Sequence, residues 1–177
     1  MKLDDRTRST ADGCDRVNEL GFVLIPQAVD GRRLAELREA CQDVLNHPSS
    51  DVRARSGRGH ACAARNLLQS IPMIRTFWAR GLLADFLQRC LGPDFGLVRV
   101  LFFDKPPDRT WALPWHKDRA IAVKDASIAS TKFDRPNMKA GVPHVMAPES
   151  VLQNIVTLRV HLDEVTDENG PLRVIPG

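Results

Sequence analysis

The chain has 177 residues, 43% hydrophobic and 27% charged, which excludes a disordered polyelectrolyte. Lys and Arg number 25 against 22 Asp and Glu, and the net charge of +3 is too mild for nucleic acid to be the main partner. No apolar run approaches the roughly 20 residues of a membrane helix, and MKLDDRTRST has no apolar secretory stretch, so a soluble, cytoplasmic, single-domain protein is expected. Cys14, Cys41, Cys62 and Cys90 stand apart with no CxxC pair, which predicts reduced thiols and neither a zinc site nor a disulfide framework.

Residues 11–20 read as a short helix stopped by Gly21, and FVLIP at 22–26 as a strand closed by Pro26. Asp30 is a candidate N-cap for a helix whose Leu34, Leu37, Cys41, Val44 and Leu45 share one face and which ends near His47-Pro48. Over 49–66, Ser49, Ser50, Ser56, Gly57 and Gly59 break the periodicity while Arg53, Arg55, Arg58 and Arg65 add charge. This predicts a mobile loop, either simply solvated or drawing in an anionic group such as a phosphate or CoA. Ser70 with Pro72 opens a second long helix carrying Ile74, Phe77, Trp78, Phe86, Leu87 and Leu91. Gly81 would kink or divide it, and Gly92-Pro93 ends it.

The remainder is β-rich. LVRVLFF at 97–103 predicts a strand, followed by a KPPD turn, PWHKD at 114–118 and AIAV at 120–123. Residues 124–150, with Pro136, Gly141, Pro143 and Pro148, predict a long connection. IVTLRVHLD at 155–163 is the strongest strand pattern, TDENG a turn, and PLRVIPG the start of another strand. Helices first and strands later imply an α+β, mainly β domain with helices packed on an antiparallel sheet or sandwich. Because the sequence stops just after a strand and a Pro-Gly turn signal, a sheet short of its closing strands is expected.

The sharpest chemical feature is His116-Lys117-Asp118. On an extended backbone, residues two apart point to the same side, so this imidazole and carboxylate can meet one metal ion. They would form two thirds of the facial triad of two His and one carboxylate that holds non-haem Fe(II) with open positions. A polar loop with a surface His–Asp contact is the other reading of the tripeptide. Trp111 and Trp115 flank it, either as an aromatic wall or as core packing.

The segments FFDKPPDRTWALPWHKDRAIAV, KAGVPHVMAPESVL and TLRVHLDEVTDENGPLRVIPG, together with the opening NELGFVLIP, resemble the phytanoyl-CoA dioxygenase family. The most specific matches are WHKD, where the family often has WHQD, and NGPLRVIPG. The resemblance implies one domain over 1–177 with a cupin-like double-stranded β-helix, or jelly roll, buttressed by N-terminal helices. It implies a dioxygenase using Fe(II), 2-oxoglutarate and O₂ to hydroxylate a small organic substrate, with succinate and CO₂ as coproducts. His116 and Asp118 become iron ligands. A distal His and a 2-oxoglutarate-binding Arg would follow Gly177, so the C-terminal strands that carry them are expected to be missing. Arg65, Leu101, Lys117 and Arg159 correspond to positions lining the cosubstrate pocket, with Lys117 in place of the usual Gln and Arg159 facing either pocket or solvent. Lys105 belongs to the pocket rim or to structure. His161 precedes the metal His and reads as a sheet-face residue; His144 reads as a loop residue or an entrance lining, and His47 and His60 as loop residues. Two further readings are an inactive fragment or pseudo-enzyme, and a cupin-like metal protein without 2-oxoglutarate chemistry.

Overall fold

The structure, a computed structural model, describes residues 10–47, 52–55, 61–104 and 114–176. Helix α1 (Thr10–Leu20) ends at Gly21, whose φ of 80° lies in the left-handed region that glycine enters without steric cost. Asp30 caps α2 (Gly31–Asn46), its carboxylate accepting from the Arg33 backbone N–H at 3.0 Å. Leu37 and Cys41 of α2 are buried, with Val44 and Leu45 packed beside them. The second helical stretch is divided into α3 (Leu67–Ser70), α4 (Ile74–Phe77) and α5 (Gly81–Leu91). Gly81, at φ 63°, divides it rather than kinking it, and Gly92, at φ 81°, closes α5. Ser70 ends α3 and does not cap a following helix, because the chain is already helical from Leu67.

Six short strands among the described residues form two antiparallel sheets. The first, β1 (Val52–Arg55), β2 (Ala61–Arg65) and β3 (Leu101–Phe103), has the order β1-β2-β3. The second, β4 (Ala120–Ala122), β5 (Asp134–Lys139) and β6 (Val142–Met146), has the order β4-β6-β5. Two expected loops are therefore partly sheet. Parts of 49–66 pair as β1 and β2, and 124–150 contains the β5–β6 hairpin and a helical turn, α6 (Glu149–Leu152). Ser49, Ser50, Ser56, Gly57, Arg58, Gly59 and His60 lie outside the described residues.

Elsewhere strand was overestimated. Residues 22–26 pair with nothing, and only Leu101–Phe103 of 97–103 enters a ladder. Residues 155–163 and 171–176 have strand composition but no strand assignment. The first of these nevertheless behaves as a strand on one side, since Leu158, Val160 and Leu162 pack on the helical core while Thr157, Arg159 and His161 alternate outward. An ion pair from Arg38 on α2 to Asp163, 3.1 Å, ties its end to the helix layer. TDENG becomes a short 3-10 turn (Asp167–Asn169) with a reciprocal cap between Thr166 and Asn169. Among the described residues the strands form two separate three-stranded antiparallel sheets that do not close into a barrel, so the jelly roll expected from the sequence is not seen.

Register explains how the layers are stacked. Ala64 pairs with Phe102, and both pack, with Val100, onto the core of Leu37, Cys41, Leu67, Ile71, Ile74, Phe77 and Leu83. One residue out of phase, Ala63 pairs with Phe103 and Arg65 with Leu101, so these side chains project from the opposite face. That face looks toward the second sheet. His144 of β6, 2% exposed, links the two: its Nδ1–H donates to Val142 O at 2.9 Å, and its Nε2 accepts from Arg99 Nη1 at 3.4 Å. Asn66 Nδ2 donates to Ala140 O at 3.1 Å, a second link at the β5–β6 turn.

Helix α1 packs along α5, where the Cys14 and Cys90 thiols share a hydrogen bond. Burial, then Cys14, pushes the Cys90 thiol up to about 12, and burial pushes Cys41 up to about 11. Cys41 and Cys90 thus stay protonated and unreactive. No helix among the described residues is long and apolar enough to cross a membrane.

Leu67, fully buried at 0% exposure, and Leu172, 61% exposed, give the packing a direct test. Leu67→Ala is expected to lower the unfolding free energy by about 3 kcal/mol, and Leu172→Ala to change it by no more than about 0.5 kcal/mol, both read by urea denaturation. A second test concerns pH. Burial lowers the pKa of His144, as do Lys139, Arg99 and Arg65 opposite it, and burial followed by Arg159 lowers that of His161. Below the usual value of 6.5, the unfolded chain takes up protons that the fold refuses. The contribution is complete above that value and is lost as pH falls toward the depressed folded values. Stability should drop as pH falls below about 6.5, and His144→Gln should flatten part of that slope in the same denaturation series. An unchanged slope would refute the assignment.

Candidate metal centre

His116 and Asp118 lie on the non-hydrogen-bonded approach to β4, and the ladder with β6 begins one residue later, where Ala147 N–H donates to Arg119 O at 2.9 Å. Pro114 fixes the imidazole. Its carbonyl can only accept, so the 2.8 Å contact with His116 Nδ1 is an Nδ1–H donation. The lone pair of the ring then sits on Nε2, the tautomer that a metal ligand needs. That Nε2 faces Asp118 Oδ1 at 3.7 Å. Two donors each about 2.1 Å from one ion lie ~3.0 Å apart at a right angle and ~4.2 Å apart when opposed. The pair can therefore hold a common cation from one side.

Both side chains are open to solvent, 51% for His116 and 89% for Asp118. Exposure suits access by a small molecule and leaves the coordination sphere incomplete. Among the described residues no set of three His, Cys, Asp or Glu side chains converges on one point. The donor set thus fits a cation as two ligands of a larger sphere.

Trp115 is 64% exposed, which corrects the expectation of core packing for this ring: it stands at the surface beside His116. Trp111 and Lys105 fall outside the described residues. Lys117 is exposed between the two donors, and an extended backbone turns it to the opposite side from them. Arg65 and Leu101 are brought together as cross-strand partners on β2 and β3, both half-buried. Arg159 is exposed on the unpaired 155–163 segment, on the side away from Leu158 and Val160. Among the described residues no hydrogen bond or ion pair joins Arg65, Lys117 or Arg159 to the His116–Asp118 pair.

The remaining histidines separate cleanly. His47 caps the end of α2 through Asp43 O at 3.2 Å, and His161 is exposed beside Arg159. His144 departs most from its sequence reading, being the buried residue of a central strand instead of a loop position. The stretch VPHVM carries no alternation of polar and apolar residues that could have shown it, and His144 and Val145 are both buried. Pro143 pointed away from it as well, because proline argues against a central strand. Arg99 and Lys139, which flank His144, were likewise not singled out.

Two small antiparallel sheets linked through His144 and Asn66, with helices packed on the first and a His-x-Asp pair at the edge of the second, frame the site. The family model described as phytanoyl-CoA dioxygenase (PhyH) matches residues 17–177. No curated protein and no solved structure matches the chain. The family has a cupin-like fold, of which the described residues show small antiparallel sheets and no closed barrel. With nearly its whole length matched, the chain belongs to the phytanoyl-CoA dioxygenase family, whose members are typically Fe(II)- and 2-oxoglutarate-dependent oxygenases.

Proposed function

We propose that the protein is an Fe(II)- and 2-oxoglutarate-dependent dioxygenase that hydroxylates a small organic substrate. The observation that carries this reading is the His116 Nε2 lone pair held 3.7 Å from the Asp118 carboxylate by the Pro114 hydrogen bond. His116 supplies a neutral donor and Asp118 a negative one, the mixed set that suits Fe(II) and leaves positions for cosubstrate and O₂. When bound, the iron supplies oxidative decarboxylation of 2-oxoglutarate coupled to hydroxylation of the substrate.

Other residues position and shield. Pro114 keeps the imidazole from rotating and holds its proton on Nδ1. Arg65 and Leu101, side by side on the inner face of the first sheet, offer a cationic and an apolar contact for 2-oxoglutarate. Lys117 and Arg159 are further cations offered to its carboxylates. Trp115 beside His116 offers a ring that limits water at the metal. The third ligand position is one that no described residue fills.

Removing either donor should weaken Mn(II) binding, Mn(II) being a redox-stable probe of the Fe(II) site. His116→Ala and Asp118→Ala are each expected to weaken it more than the 10–100-fold typical of losing an outer-shell partner, so roughly 100-fold or more. Asp118→Ala should also abolish succinate formation from 2-oxoglutarate under Fe(II). Calorimetry on the folded variants checks the first outcome and a succinate assay the second. Mn(II) affinity that is unchanged in both variants would remove the ligand assignment. Metal binding with no tightening by 2-oxoglutarate would instead favour a cupin-like metal protein.

A further inference from the structure

Outside the metal pair, the strongest concentration of charge lies between the two sheets. Arg65 on β2 and Arg99, two residues before β3, stand on the same face as Leu101. Across the gap, register places His144 on the same face as Asn137 and Ala122, its partners on β5 and β4. Lys139 pairs with Val142 two positions along, so it shares that face. Arg65, Arg99 and Lys139 all act electrostatically on His144, which is buried at 2% exposure.

His144 cannot neutralise them. Its Nδ1–H is committed to Val142 O and its Nε2 to Arg99, so it is a neutral acceptor among three cations. Among the described residues no carboxylate forms an ion pair with Arg65, Arg99 or Lys139. Two of the three, Arg65 and Lys139, are half-buried, where an uncompensated charge is costly. Like charges gathered around one buried imidazole attract an oxyanion, and guanidinium matches carboxylate and phosphate oxygens in paired fashion.

We propose that Arg99 and Lys139, beside the Arg65 that serves 2-oxoglutarate, bind a carboxylate or phosphate group on the primary substrate, so that the enzyme acts on a small organic acid or phosphate ester. The inference rests on the dioxygenase reading and narrows its substrate class. Ala122, the β4 partner of His144, is four residues from Asp118, and four extended residues span about 13 Å. The anionic end of the substrate is thereby anchored away from the metal ligands, with the body of the molecule lying between.

The test is an anion titration of the metal-free chain with succinate and with inorganic phosphate, and with succinamide as the neutral control. It is followed by calorimetry and by the His144 ring resonances in NMR. At least one of the two anions should bind saturably and shift His144, and succinamide should do neither. Arg99→Gln and Lys139→Gln should each weaken anion binding about tenfold or more, the worth of one charge-assisted hydrogen bond. Lys139→Gln decides alone if Arg99→Gln does not fold. Equal binding of succinamide, no anion binding, or full affinity in the folded variants would overturn the proposal. So would displacement of the bound anion by one equivalent of 2-oxoglutarate in the presence of Mn(II), because the cluster would then belong to the cosubstrate. Failure of the dioxygenase reading would show separately, as absent Mn(II) binding with the metal-free titration intact.

Discussion

A β-strand shows alternate side chains to opposite sides, and in β2 that constraint sets the chemistry of the whole molecule. Ala64 points into the apolar layer with Leu67 and Leu37, while Ala63 and Arg65 point away from it. β3 repeats the division, with Phe102 on one side and Leu101 and Phe103 on the other. The unpaired segment through Leu158, Val160 and Leu162 repeats it a third time. Helices can cover only the apolar side, so the charged side is left to face the second sheet. A one-residue slip of β2 would bury Arg65 among leucines and turn Ala64 outward. The helix layer therefore fixes not only stability but also which residues are presented to a ligand.

Two histidines use the same local device to opposite ends. In both, Nδ1–H reaches the carbonyl two residues upstream, Pro114 O for His116 and Val142 O for His144. That bond fixes the tautomer and leaves Nε2 as the acceptor. His116 turns its acceptor toward a carboxylate at the solvent edge, where a cation can share it. His144 turns its acceptor toward a guanidinium in the interior, where it serves as a joint between sheets. Surroundings, and not residue type, decide which imidazole is free for coordination.

Much of the helical part was legible because its signals are local. Asp30, Gly21 and Gly92 are caps whose chemistry depends on a few neighbouring residues, and each acts where the sequence places it. Strands are less readable because pairing is settled by distant partners. The pattern at 155–163 is strand-like in composition and in alternation, yet no neighbour among the described residues forms a ladder with it. Conversely, the Arg-rich 52–55 stretch and the proline-bearing 142–146 stretch lack strand composition but find partners in β2, β4 and β5. The contact between His116 and Asp118 was legible for the opposite reason: two residues apart on an extended chain, its geometry needs no tertiary knowledge. The cations around His144 come from β2, the lead-in to β3 and the β5–β6 hairpin, so only the folded register assembles them.

The Asn66 contact with Ala140 has a mechanical side. It fastens one end of β6, at the β5–β6 turn, to the end of β2. The other end of β6, at Met146 and Ala147, runs beside Ala120 and Arg119, next to the exposed ligand pair. Two plates riveted along one margin splay like the covers of a book, moving least at the spine. In this protein the sheets are fastened at Asn66 and again at His144, and among the described residues no further hydrogen bond between them is found at the margin that carries His116 and Asp118.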